Sequence, residues 1–189
     1  MPEDALFIKV SGHTSRKCPK YAGFRPPLFG DAPALFLSYF YKDAKKLEEL
    51  TEKKILAVKG NCDGAYDDGE FAVLETEFGK IYISHGHLEN VKSGFLRISY
   101  KASEKGCRAV LCGHTHKPVD IETEGSIRII NPGSIGSPLP GRKPSYAVIE
   151  TSEKEIKCEI LTCDEESAKK KTYAPAGEIS AKLNYSDRF

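Results

Sequence analysis

The chain has 189 residues, 40% of them apolar and 29% charged, with a formal net charge of +1. That suits one domain with a sizeable core and excludes strong electrostatic attraction to nucleic acid or an anionic membrane. No apolar run approaches the ~18 residues of a membrane span, and the first ten residues carry acids where a signal peptide needs a basic stretch. The six cysteines (18, 62, 107, 112, 158 and 163) show no paired spacing, so they read as reduced, mostly buried thiols of a cytoplasmic protein.

In chain order, residues 5–10 predict a short apolar strand. Residues 11–33 are rich in Pro, Gly and basic side chains and carry no helical period. Residues 34–41 predict a second buried strand, and Asp43 an N-cap for a short helix with Leu47 and Leu50 on one face. A third strand over 55–58 runs into Gly60-Asn61. Residues 71–78 and 81–84 predict a hairpin about Gly79-Lys80. Residues 91–105 predict a helix, with Val91, Phe95, Ile98 and Ala102 at three-to-four spacing and Gly106 just past the end. A strand over 109–112 follows, then hairpins of 119–123 with 127–130 and of 146–151 with 155–162. Residues 164–189, with Lys169, Lys170 and Lys171, read as a polar, weakly ordered tail whose charge run is solvated. Mixed strands with few helices predict one α/β domain over 1–163, two packed sheets with helices outside.

Four short loop motifs punctuate this pattern: Gly60-Asn61-Cys62-Asp63, His85-Gly86-His87, Gly113-His114-Thr115-His116 and Asn131-Pro132-Gly133-Ser134. Each reads as following a strand. They hold four of the five histidines, and imidazoles with an Asn carbonyl on rigid strand ends suit Mn, Fe, Ni or Zn. The fourth motif reads as a tight turn, with Pro fixing φ and Gly allowing close backbone approach to the metal loops. A competing reading is a structural zinc site from Cys107, Cys112, His114 and His116, although two histidines one residue apart are awkward for a closed tetrahedron.

On these four motifs the chain resembles the calcineurin-like metallophosphoesterases, most closely the small bacterial and archaeal phosphodiesterase branch of YfcE type. The resemblance implies a four-layer α/β/β/α sandwich with two metals at one edge. It implies a phosphodiester substrate, attacked in line by a water or hydroxide activated between the metals. Asn61, His85 and His114 would then serve the second metal and His116 the first, with Mn²⁺ as the leading cofactor and Ni, Fe or Zn as alternatives. His87 would support the ligands or face substrate, and Asp63 would orient the loop. Cys62 stands where many relatives carry a His able to protonate the leaving group. A thiol is the poorer acid near neutrality, which favours good leaving groups.

The resemblance is firm over 54–151 and weak before it, so residues 1–53 form a divergent part. Family members open with strand-Asp-x-His and later a Gly-Asp, which supply the first metal's ligands and the bridging carboxylate. Here Gly12 and Thr14 occupy the first two places, and His13 is one residue early. Gly30-Asp31 has the right dipeptide, yet Asp31 lies only 19 residues beyond Gly12, where a crossover needs ~30. Phe40 has the better spacing. Asp31 and His13 therefore remain candidate first-metal ligands beside a reading in which those ligands are lost. The loss would make the chain a catalytically silent scaffold, as in the retromer subunit of this fold. Tyr21, Phe24, Leu28 and Phe29 would then suit a protein partner or a homodimer interface.

We hypothesise that a frame slip produced this segment. Asp-Thr-His codons GAC-ACA-CAC preceded by one extra G read Gly-His-Thr, and a second shift before Lys42 would restore the frame. Resequencing the coding DNA should expose that pair of indels against close relatives; uninterrupted codons would overturn the hypothesis.

Overall fold

The computed structural model describes residues 4–10, 34–37, 49, 55–63, 69–162 and 183–184. Apolar runs among them form two mixed sheets. In the first, β1 (Asp4–Val10), β2 (Ala34–Leu37) and β3 (Ile55–Val58) run parallel. The hairpin of β9 (Ser145–Thr151) and β10 (Ile156–Thr162) joins β1 antiparallel, giving the order β10-β9-β1-β2-β3. The second sheet contains β4 (Phe71–Thr76), β5 (Gly79–Ser84), β6 (Cys107–Cys112), β7 (Pro118–Glu122), β8 (Arg128–Pro132) and β11 (Leu183–Asn184). Its order is β11-β4-β5-β6-β8-β7, with β5, β6 and β8 parallel.

Strand alternation sends each side of the second sheet into a different core. Ala72, Leu74, Ile81, Ile83, Ala109, Leu111 and Ile130 face the first sheet, where they meet Leu56, Val58, Ile149 and Ile156. Val73, Tyr82, Val110, Cys112 and Ile129 face the other way, toward the helix α1 (Leu96–Glu104), which buries Ile98 and Ala102 on them. A bulge makes this sorting possible. Lys80 pairs with Cys107 but Ile81 pairs with Ala109. Arg108 is thus the extra residue, and Cys107 and Ala109 fall on opposite faces although they are two residues apart, a spacing that in a regular strand would put both on one face. Arg108 is held there by a 2.7 Å bond to the Phe78 carbonyl and stacks over the Phe78 ring.

Of the eight largest fully buried side chains, six (Ile81, Tyr82, Ile83, Leu111, Ile129 and Ile130) lie on β5, β6 and β8. At about 1.5–3 kcal/mol per buried side chain of this kind, the parallel ladder is the most firmly held part among the described residues. Its carboxyl-terminal edge carries the histidine motifs.

Several expectations need correction. The helix starts at Leu96, not Val91. Val91 and Phe95 do join the predicted apolar face, but Asn90 and Gly94 have φ of 54° and 141°, which an α-helix cannot accommodate. The first hairpin turns at Glu77-Phe78, and Gly79 opens β5. Asn131 and Pro132 are the last residues of β8, so the fourth motif begins inside a strand. Pro132 is tolerated because it pairs with Pro118 at the end of the sheet. Two residues of the expected tail, Leu183–Asn184, pair with β4. Of the predicted helix at Asp43 only Glu49 is described, and it is helical; His13, Asp31 and Phe40 lie outside the described residues.

Gly133 needs its lack of a side chain more than most glycines. Its φ is +83°, and a Cβ there would overlap Ser145 Oγ and lie 2.9 Å from Pro118 Cγ. The close approach is thus to Ser145 and Pro118, not to the histidine loops. We expect Gly133→Ala to cost about 2 kcal/mol or more. Gly141→Ala, at a similar φ of +77° but facing open space, should cost about 1 kcal/mol. Urea unfolding of the two variants checks the difference.

Candidate metal centre

The parallel pairing of Ser84 with Cys112 brings the ends of β5 and β6 side by side, and the Gly113 N–H donates to the His85 carbonyl at 3.2 Å just beyond. The strand β3 of the facing sheet delivers the third loop, Gly60 to Asp63. Within it, the Asp63 carboxylate accepts from the Gly60 N–H at 2.8 Å, while the Asp63 N–H donates back to the Gly60 carbonyl. This closes a tight turn under Asn61. The Asn61 amide NH₂ contacts Cys62 Sγ at 3.3 Å, which leaves Asn61 Oδ1 aimed at His85.

Three polar atoms converge as a result. His85 Nε2 lies 3.1 Å from Asn61 Oδ1 and 3.2 Å from His114 Nδ1. An amide oxygen can only accept, and a neutral imidazole supplies one proton between its two nitrogens. Lone pairs therefore outnumber protons at this point. Two donors of one first-row cation, each at about 2.1 Å, stand roughly 3.0–3.4 Å apart between right-angle and tetrahedral placement, and both observed separations fall in that interval. The two nitrogens and one amide oxygen thus fit a divalent transition ion. Among the described residues no three His, Cys, Asp or Glu side chains gather closely enough to hold a metal unaided; the amide of Asn61 supplies the third donor.

Charge states agree with that fit. Burial, with the neighbouring His114 and His87, pushes His85 down to about 3. Burial, with Lys92 and His87, pushes His114 down to about 4. His116 and His87 are lowered too, both chiefly by burial. All four imidazoles are therefore neutral at pH 7, the form that ligates metals. His116 stands outside the convergent group, its ring bonded to the Ser137 backbone, yet it acts electrostatically on both His85 and His114. His87 stacks edge-on to His85 at 5.3 Å between centroids. His85 Nδ1 and His87 Nδ1 are buried with no partner among the described residues.

Two supports of this site were not read from the sequence. Glu89 is 2% exposed and accepts from Ser84 Oγ at 2.9 Å, Lys101 Nζ at 2.9 Å and the Tyr82 hydroxyl at 3.3 Å. Burial alone would raise its carboxyl, but the bonds from Lys101 and Ser84 outweigh it and hold the acid below its usual range. Ser84 Oγ in turn accepts the Gly86 N–H at 3.1 Å, which fixes the loop between His85 and His87. The second support is backbone strain. His114 and His116 have φ of 64° and 56°, and left-handed non-glycine residues cost about 1–3 kcal/mol each. Neither partner sets nor φ values leave a trace in composition or periodicity. The competing zinc site is ruled out, because Cys107 and Cys112 end opposite termini of β6, about 16 Å apart at ~3.3 Å per residue. The four described cysteines, Cys62, Cys107, Cys112 and Cys158, are all free.

Comparison with known proteins gives the family. Residues 29–154 match the calcineurin-like phosphoesterase superfamily domain, and the chain belongs to that family. The matched span contains Asp31 but not His13. The chain is 36% identical over 120 residues to the probable metallophosphoesterase YsnB of Bacillus subtilis, a match covering 64% of this chain and 63% of that protein. It is 32% identical over 120 residues to phosphodiesterase YfcE of Escherichia coli K12, covering 58% and 61%. The matches thus span less than two thirds of either relative's length. A crystal structure of a conserved predicted phosphoesterase from Streptococcus pneumoniae superposes with a TM-score of 0.65 at 25% identity, covering 97% of this chain and 98% of that one.

The lowered histidines carry a pH prediction. Their folded values lie below the unfolded ~6.5, so the unfolded chain takes up protons first and acidification below that value works against the fold. Ring ¹H–¹⁵N correlation spectra of the metal-free protein should show His85 and His114 neutral from pH 8 to pH 5. A midpoint above 6 for either ring would contradict the burial argument.

Proposed function

We propose that the chain is a metal-dependent phosphodiesterase, hydrolysing a phosphodiester that carries a good leaving group, with Mn²⁺ as the first cofactor to test. The observation that carries the reading is the convergence of Asn61 Oδ1, His85 Nε2 and His114 Nδ1 at 3.1 and 3.2 Å on the edge of a buried ladder. These three would hold one cation. His116, with Asp31 or His13, would hold another. A bound divalent ion supplies Lewis acidity, which makes water nucleophilic at neutral pH and offsets charge on phosphate oxygens. The chain's own residues do the rest. Asp63 fixes the turn that presents Asn61, and Glu89 with Ser84 fixes the loop that presents His85. His87, half-buried beside His85, would support the ligands or face a phosphate oxygen. Cys62, exposed next to Asn61, would stand where family relatives carry a proton-donating His, and a thiol there would suit leaving groups that need little protonation. A helical layer over the first sheet, completing a four-layer sandwich, belongs to the same proposal. So do the phosphodiester substrate and the choice of Mn²⁺.

Bis-p-nitrophenyl phosphate is the substrate to try. We expect Mn²⁺-dependent release of p-nitrophenolate that a chelator removes and added Mn²⁺ restores. His114→Ala should lower the rate by about 100-fold or more, as expected for loss of a group that orders the reacting centre, while the variant still melts cooperatively. Equal rates in the two proteins would assign the turnover to a contaminant. No turnover in either would favour the silent scaffold.

A further inference from the structure

Asn131 is fully buried, and each of its polar atoms is engaged. Its Oδ1 accepts from the Gly133 N–H at 3.0 Å, an ordinary turn contact. Its Nδ2 reaches in the other direction, donating to the Gly113 carbonyl at 2.8 Å and to Thr115 Oγ1 at 3.0 Å. Both partners lie in the loop that carries His114 and His116. That loop is a strained one. The Thr115 N–H donates to the Gly113 carbonyl across His114 at 2.7 Å, and His114 has a φ of 64°. A three-residue turn with a side-chain-bearing residue at positive φ is the rare, high-energy form. It persists only where the surroundings over-determine it.

The surroundings here are Asn131. Gly113 O receives both the turn's own N–H and the Asn131 amide, so the carbonyl at the start of the turn is held from two sides. Thr115 Oγ1 is held between Asn131 Nδ2 and the Lys117 N–H, the latter at 3.2 Å. One carboxamide thus braces the residues on both sides of His114. Gly113 is also bonded to the His85 carbonyl, which ties the braced turn to the strand end that carries the other imidazole.

We propose that Asn131 is a positioning residue for the metal site. Its carboxamide holds the strained Gly113–His116 turn so that His114 Nδ1 faces His85 and Asn61 before any cation arrives. This inference rests on reading the site as a metal centre. Groups that orient metal ligands typically change affinity by about ten- to a hundredfold when replaced. Asn131→Asp keeps the shape but turns an acceptor toward the Gly113 carbonyl. Thr115→Val removes the second anchor at nearly constant volume, and Thr115→Ser restores the hydroxyl.

The test is calorimetric titration of the full chain with Mn²⁺, alongside thermal melting of each metal-free protein. We expect Asn131→Asp and Thr115→Val to weaken Mn²⁺ binding by about ten- to a hundredfold, and Thr115→Ser to stay within about twofold of the parent. If Asn131→Asp fails to fold, the Thr115 pair carries the same comparison. Lowered melting temperatures with parental Mn²⁺ affinity in Asn131→Asp and Thr115→Val would make the amide merely structural and overturn the inference alone. Absence of Mn²⁺ binding by the unsubstituted chain would overturn the metal-centre reading and this inference with it.

Discussion

The parallel ladder of β5, β6 and β8 is the constraint from which the site follows. Parallel strands present their carboxyl ends at one edge, and here the register is pinned on both faces by fully buried aliphatic side chains. A slip of one residue would send Ile81 and Ile83 to the helix face and Tyr82 into the core between the sheets. The bulge at Arg108 is part of the same constraint. Beyond it, Ser84 comes to lie opposite Cys112, and the next residues of each strand, His85 and Gly113, meet through their backbones. The imidazoles of His85 and His114 are therefore brought together by strand geometry, with loop flexibility playing little part.

Several features of the edge oppose stability. Glu89, Ser84, Asn131 and Ser145 are buried polar groups, each satisfied by hydrogen bonds that at best repay desolvation. Two histidines sit in left-handed backbone, and two polar atoms, Asn61 Oδ1 and His114 Nδ1, crowd within hydrogen-bonding distance of His85 Nε2. A fold optimised only for burial would carry aliphatic residues and relaxed turns at these positions. The opposing terms cluster at one end of one ladder, which is the pattern expected when local strain is retained for a ligand. Away from that edge, on the middle of β5, β6 and β8, sequence, register and packing agree.

How much could be read in advance follows from the range of each interaction. The strand over 55–58 was legible residue by residue, since a short apolar run bounded by turn residues has few other uses. The last hairpin was legible for the same reason. The start of α1 was not, because Val91 and Phe95 keep the helical spacing while Asn90 and Gly94, each just before one of them, break the helical backbone. Periodicity reports which side chains are buried and is silent on φ. The convergence of Asn61, His85 and His114 was implied by the family resemblance that the four motifs carry, and their separations come from packing of two sheets. Glu89 gave no such signal and Asn131 only its place in the fourth motif, because the partners by which they hold the histidine loops sit from 5 to 18 residues away and are chosen by topology.

The electrostatics of the edge connect the fold to the proposed chemistry. Amide oxygen and neutral imidazole bring no negative charge, so a cation held by Asn61, His85 and His114 would keep most of its charge at the protein surface. The carboxylate of Glu89 lies behind the loop and is already occupied by Lys101, at 2.9 Å. Lys92, exposed on the turn before α1, adds a further positive charge felt by His85, His114 and His116. The chain as a whole carries only +1, so long-range steering is weak and attraction for an anion is a local matter. An extended polyanion would gain little from such a surface. A single phosphodiester, small enough to sit within the field of one edge, would gain nearly all of it.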